Sequence, residues 1–316
     1  KRQAEVQSIT WQGLTWVNIE HPTLAEMDYL QERFRFDTLA LEDCLSKIQV
    51  PKIDEYRDHL FLVLHFPITT PAGRITQASQ VSIFVGDGYV VTVHRGDLRP
   101  LVKLFQDCAQ SEAVRADTMA HSSGYLLYRI LDGLVDYCFP VLNHLLASVD
   151  RLEERLLERH QARVIRDLSL LRQDTIAYRR IVRLQTPVME TLERKEYPFL
   201  KVDQALYFGD LADHTRRLWV ELEEVKEIVE GFNDTLFSLN TTNSNDALRI
   251  LTAIFTATIP AVLIGTFYGM NISLPGGTQT GAWTFLGPYT TLILLGLLSL
   301  IPAGLMLWLF HRIRWL

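Results

Sequence analysis

From Ile250 to Phe310, about sixty residues, the chain contains no Asp, Glu, Lys, Arg or His. This excludes an ordinary water-facing surface, because a soluble helix keeps charge on the side turned away from its core. Other absences narrow the function. No Walker-type glycine-lysine loop and no Gly-x-Ser-x-Gly turn occurs, so nothing points to ATP-driven pumping or to hydrolysis. Cys44, Cys108 and Cys138 are far apart and odd in number, which fits reduced, buried thiols better than a disulfide framework or a cysteine metal site. His59, His65 and His94 fall on predicted strands without a convergent nucleophile, base and oxyanion donor, and they read as structural or surface residues. No enzyme, no covalently bound cofactor and no nucleic-acid partner is expected. The start, Lys1-Arg2-Gln3-Ala4-Glu5, lacks the apolar core of a signal peptide, so the N-terminal part is expected to stay in the cytoplasm.

What is present is strongly divided. The 316 residues have a formal charge of -6 and are 48% hydrophobic, with a mean hydropathy of only +0.07. That average conceals the division: nearly all the charge lies in the first 249 positions. Two uninterrupted apolar runs follow, Ile250 to Met270 and Pro288 to Phe310, each near the roughly 20 residues that cross a bilayer as a helix. The link from Ile272 to Gly287 carries Pro275-Gly276-Gly277, Gly281 and Trp283 and reads as a short external turn. Arg249 precedes the first run, while His311, Arg312 and Arg314 follow the second. Positive residues at these two ends and none in the link put both termini on the cytoplasmic side. The expectation is an integral protein of a bacterial inner or plasma membrane, with the lipid bilayer as a partner.

The charged part divides again. Residues 1–100 mix strand and helix signals, among them Leu60 to Leu64, Val81 to Val85 and Tyr89 to Val93, with Gly86-Asp87-Gly88 as a hairpin turn. Residues 101–205 read as helical, with Pro140 and Pro187 as points where a helix kinks or breaks. Residues 206–249 form a stalk helix, 250–271 a first span, 272–287 the external link, 288–310 a second span and 311–316 a basic cytosolic tail. In the stalk, Leu218, Leu222, Val225, Val229, Phe232, Leu236 and Leu239 alternate spacings of four and three, a 3.5-residue period suited to packing between helices. No clear breaker separates Leu211 from Thr258. One helix of about 60 residues, roughly 90 Å at 1.5 Å per residue, is therefore expected to enter the membrane. Two spans per chain cannot enclose an aqueous path, so several copies must share one.

The end of this helix resembles the CorA-type family of divalent-cation channels and transporters, two-span proteins marked by a Gly-x-Asn signature. Asn245-Asp246-Ala247-Leu248-Arg249-Ile250-Leu251-Thr252, Ile259-Pro260, Gly265 and Tyr268-Gly269-Met270-Asn271 match its first span in order and spacing. Tyr207-Phe208-Gly209-Asp210-Leu211-Ala212-Asp213-His214-Thr215 resembles the start of its stalk. Gly124-Tyr125-Leu126-Leu127-Tyr128, Leu131-Asp132, Val135-Asp136 and the paired acids Glu153-Glu154 are also similar, as is the basic terminus. The resemblance covers essentially the whole chain. It implies an α+β cytosolic domain of α/β/α type, long stalk helices, two C-terminal transmembrane helices and a funnel-shaped homopentamer.

The resemblance also implies a selectivity filter at Tyr268, Gly269, Met270 and Asn271. Magnesium dehydrates reluctantly and keeps its waters, so a ring of Asn271 amide oxygens can hold the hydrated ion by accepting hydrogen bonds from its shell. The plainer reading of Asn271 is a helix C-terminal residue, where Asn is common. Helical spacing from Asn245 gives a pore face of Asn245, Leu248, Thr252, Phe255, Ile259 and Val262 or Leu263. Leu248, Leu251 and Ile259 supply apolar constrictions. Asp210 and Asp213 are the candidate regulatory metal residues. Two features depart from the better-known magnesium members: the link has no acidic residue, and Phe66 to Gln80, where a partner carboxylate is sought, offers Arg74 instead. The uncharged link is shared with the zinc-transporting branch. The reading is a homopentameric Mg2+ channel, with Zn2+ as the alternative ion and a membrane-anchored scaffold as the remote one.

Overall fold

The computed structural model describes residues 4–46, 49–70, 74–156, 161–270, 273–277 and 280–312, and the side chains of residues 76, 161 and 243 are left out as well. The chain divides into one unit of residues 1–233 and a second of residues 234–316.

The first unit is built on a six-stranded sheet. Its strands are β1 (Gln7–Trp11), β2 (Leu14–Glu20), β3 (Lys52–Glu55), β4 (His59–Thr69), β5 (Ile75–Gly86) and β6 (Tyr89–His94). Their order is β1-β2-β6-β5-β4-β3. Only the β2–β6 pair is parallel; the other pairs are antiparallel. The β5–β6 hairpin turns at Asp87-Gly88, where Gly88 takes the left-handed φ of +79° that this turn favours. Side chains alternate across the sheet. Val17 and Ile19 pack with Met27 and Leu30 of α1 (Leu24–Phe34) and with Ala40, Leu41 and Cys44 of α2 (Thr38–Leu45). On the opposite face, Trp16 meets Phe105 of α3 (Arg99–Gln110) edge-on at 5.0 Å. Leu60 to Leu64 are all fully buried, as a strand covered on both faces requires. Helices therefore lie on both sides of the sheet.

The second helical layer continues with α4 (Glu112–Met119), α5 (Ser123–Arg155) and α6 (Gln161–Arg194). Both long helices run through their prolines, Pro140 and Pro187, without breaking. By length and composition α5 is apolar enough to cross a membrane, yet 44% of its most apolar window is buried in the unit. It is a core helix. Gly124 at its start has its place fixed by contact: a Cβ there would lie 2.5 Å from the Leu200 carbonyl oxygen.

Helix α7 runs unbroken from Gln204 to Gly269, through Pro260. Its seam residues Leu218, Leu222, Val225, Val229 and Phe232 are buried within this one chain. In the second unit, the later part of α7 and α8 (Thr290–Arg312) expose most of their apolar side chains; in each helix only 6% of the most apolar window is buried. That is the surface expected of helices whose surroundings are lipid or further copies.

His94 is held neutral inside the first unit. Its Nε2 lies 2.9 Å from Asn18 Oδ1 and its Nδ1 accepts the Gly96 N–H. Burial lowers its pKa to about 4. A depressed base contributes stability that is complete above its unfolded pKa, near 6.5, and is lost as pH falls toward 4. Circular-dichroism melts of the chain should show that loss over this window, and His94→Gln should flatten it.

Candidate functional site

The ion-path candidates lie on α7 in the second unit. Asn245, Leu248, Leu251, Thr252, Phe255, Ile259 and Val262 are exposed, whereas Ala253, Thr256, Ala257, Pro260 and Ile264 are half-buried. At 100° per residue the two stripes are on the order of 140° apart around the helix. The exposed candidates thus share one face, with Leu251 at its margin. The Thr252 hydroxyl donates to the Leu248 carbonyl at 2.8 Å, and Thr266 does the same to Val262 at 2.7 Å. Each hydroxyl proton is thereby used inside the helix, and the oxygen presents acceptor lone pairs outward. Asn245 is exposed one turn before Arg249, which pairs with Asp246 at 3.5 Å.

At the far end of α7, Gly269 is the last helical residue and the Met270 N–H bonds to the Phe267 carbonyl at 3.3 Å. The Tyr268 hydroxyl donates to the Pro275 carbonyl at 2.9 Å. Asn271 lies outside the described residues, as do Ile272 at the start of the link and Arg314 in the basic terminus.

The first unit assembles a second group. Asp132 and Asp136 stand one turn apart on α5, as Asp210 and His214 do on α7. One ligand atom from each of Asp132, Asp136 and His214 lies within 4.8 Å of the others. Asp210 Oδ1 is 3.8 Å from His214 Nε2. Burial, then the charges of Asp136 and Asp210, raise the Asp132 pKa above the usual carboxylate range. Burial beside Asp132 and Asp210 pushes Tyr128 up to about 12. His214 Nδ1 is buried without a hydrogen-bond partner among the described residues, and its ring meets Phe139 edge-on at 5.9 Å. Carboxylates crowded so that one resists ionisation form a group that a divalent cation would relieve.

Asp213 points elsewhere and pairs with Arg216 at 2.5 Å. Arg74 makes a two-pronged bridge to Asp174 of α6, at 2.7 and 3.0 Å. Residues 71–73, part of the stretch searched for a partner carboxylate, lie outside the described residues. Sequence reasoning noted Asp132 and Asp136 only as part of a resemblance and did not join them to His214. The usable signal was two i, i+4 ligand pairs on separate long helices; nothing in the sequence says that those faces meet.

A family model described as "CorA-like Mg2+ transporter protein" matches residues 11–312. The chain is 28% identical over 262 residues to the cobalt/magnesium transport protein CorA of Thermotoga maritima, covering 81% of this chain and 73% of that one. It is 21% identical over 268 residues to the zinc transport protein ZntB of Pectobacterium carotovorum subsp. carotovorum, covering 84% and 77%. Its fold matches the complete structure of the CorA magnesium transporter from Methanocaldococcus jannaschii with a TM-score of 0.80 at 20% identity, covering 96% and 92%.

The Arg74–Asp174 bridge generates a stability prediction. Asp174 is largely buried, so Arg74→Ala leaves a carboxylate without its partner and should cost about 2 kcal/mol. Asp174→Asn, which removes the charge as well, should cost less. Thermal melts of the detergent-solubilised chain would rank the two, and equal melting temperatures for wild type and Arg74→Ala would refute the estimate.

Proposed function

The chain belongs to the CorA-like Mg2+ transporter family and is an integral-membrane divalent metal-ion transporter, and from that premise we propose that it moves hydrated Mg2+ through a homopentameric pore. Members of this family are transporters and channels, not enzymes. The observation that carries the ion assignment is chemical: no His, Cys or carboxylate lies between Ile250 and Phe310. Zinc is held by such ligands directly, whereas Mg2+ travels with its water shell and needs only acceptors for those waters. Asn271 amide oxygens at the mouth, with the outward lone pairs of Thr252 and the amide of Asn245 below, supply acceptors and no charge. Leu248 and Ile259 form the dry constrictions between them. The uncharged link makes external capture weak.

Zn2+ remains the second reading, favoured by the likeness to the zinc transport protein ZntB. Both termini are assigned to the cytoplasm of a bacterium, with the first unit inside the cell. There, Asp132, Asp136 and His214, with Asp210 beside them, form the proposed regulatory cation group. Arg74 is taken up by Asp174 and the sequence from Phe66 to Gln80 contains no Asp or Glu, so control by internal Mg2+ should be shallow. Asp213, engaged by Arg216, plays a smaller part.

Three measurements test this reading. Light scattering should give a particle several times larger than one 36.3 kDa chain; a transporting monomer would refute the shared pore. In proteoliposomes, Mg2+ should cross and Asn271→Ala should abolish selective uptake while leaving the assembly intact. Zinc flux without magnesium flux would reverse the ion assignment. Finally, Mg2+ should raise the melting temperature of the wild-type first unit within the full chain more than that of Asp132→Asn. Because the Asp132 pKa is raised, the apo protein loses that residue's contribution as pH climbs through it, so the Mg2+ effect should grow with pH. A pH-independent effect shared by both proteins would exclude the cluster.

A further inference from the structure

The external link is fastened to both apolar helices by neutral groups. Gly276 is buried and has a φ of +75°. A Cβ built on it would lie 2.8 Å from Cδ2 of the Trp283 indole and 3.0 Å from Cε2 and Cε3. The indole therefore rests directly on the glycine backbone. One residue earlier, the Pro275 carbonyl accepts the Tyr268 hydroxyl from the end of α7. On the other side, the backbone N–H of Trp283 donates to Thr291 Oγ1 at 2.9 Å and that of Leu286 to Thr290 Oγ1 at 3.0 Å, both at the start of α8. Between them, the Gly277 N–H and the Thr280 hydroxyl both reach the Leu274 carbonyl. A single path of contacts runs from Tyr268 through Pro275, Gly276 and Trp283 to Thr291.

We propose that Gly276 and Trp283 form a clasp that positions the pore mouth, and that they are positioning residues for ion discrimination. This inference rests on the reading of Gly269 to Asn271 as the filter. With no charged side chain from Ile250 to Phe310, discrimination rests on the number and placement of neutral oxygens. The Tyr268–Pro275 hydrogen bond ties the last turn of α7 to the link, on either side in sequence of the proposed filter. A flexible link would leave that tie loose, because one exposed hydrogen bond is worth about 1 kcal/mol net. The indole on Gly276 and the Thr291 bond add the apolar contact and the second anchor that keep it closed. Only glycine fits under the ring, both for its φ and for its missing Cβ.

The test uses the purified full chain with Trp283→Ala, Trp283→Phe and Gly276→Val. Hydrogen exchange across residues 273–289 should be slow in wild type, fast in Trp283→Ala and Gly276→Val, and near wild type in Trp283→Phe. In proteoliposomes, the ratio of Mg2+ to Na+ flux should fall about tenfold or more in the first and third variants, the usual consequence of removing support behind an ion-binding shell, and recover in Trp283→Phe. Fast exchange in wild type would show that no clasp forms. Slow exchange in wild type with an unchanged flux ratio in both disrupting variants would overturn the positioning role. A wild-type protein that passes no divalent ion would sink the filter reading and the positioning role with it, while the exchange pattern would still decide separately whether the clasp exists.

Discussion

A backbone that enters hydrocarbon must bond every one of its own N–H and C=O groups, and a continuous helix does so within a single segment. Helix α7 meets this requirement by never stopping. It starts at Gln204, among charged residues, and continues through the last charge at Arg249 to Gly269. Even its polar side chains comply: Thr252, Thr258 and Thr266 turn their hydroxyl protons back onto carbonyls of the preceding turn. Pro260 removes one N–H from the ladder, and the helix still carries through. The chain leaves helical geometry only after Gly269, where the link takes over and Tyr268 supplies the first bond to it.

The first unit obeys the opposite rule, with apolar surface hidden and charge outside. Helix α5 illustrates how little hydropathy alone separates the two situations. It is long and apolar enough for a bilayer, but its apolar side chains from Leu126 to Leu152 are largely buried against protein. The polar residues left at its edge, Asp132 and Asp136, are those that meet His214 of α7. Packing decides this meeting. Gly124 lets the start of α5 approach the Leu200 backbone, and Tyr207 then meets Tyr125 edge-on at 5.5 Å and Tyr128 at a tilt at 4.9 Å. One to two helical turns further along each helix, the carboxylates and the imidazole are brought together.

Much of this was legible in the sequence because it depends on local pattern. The uncharged stretch, the hairpin at Asp87-Gly88, the 3.5-residue seam and the long continuous helix each follow from spacing within one segment. The α/β/α layering was implied by a resemblance, and the sheet with helices on both faces matches it. What was not legible is long-range. Arg74 and Asp174 are 100 residues apart, and no periodicity joins them. From spacing alone the residues of the seam could serve this chain or other subunits; Leu218, Leu222, Val225, Val229 and Phe232 are buried within the one chain. Likewise Trp283 and Gly276 looked like turn residues; the indole resting on the glycine is a fact of three-dimensional packing.

On the proposed reading, the chain keeps two kinds of ion chemistry apart. The path from Asn245 to the external link offers only neutral acceptors, suited to an ion that retains its waters. The cluster of Asp132, Asp136 and His214 offers charge and side chains that can ligate a divalent ion, the carboxylates for any such cation and the imidazole chiefly for zinc. A single site could not do both, because an ion bound tightly by carboxylates leaves slowly, and conduction needs binding weak enough to release. Placing the strong ligands in the unit that lies outside the apolar helices lets one region sense the ion and the other pass it. The absence of charge from Ile250 to Phe310 is then the condition for flux as well as for insertion into lipid, and it makes precise holding of neutral oxygens the remaining means of discrimination.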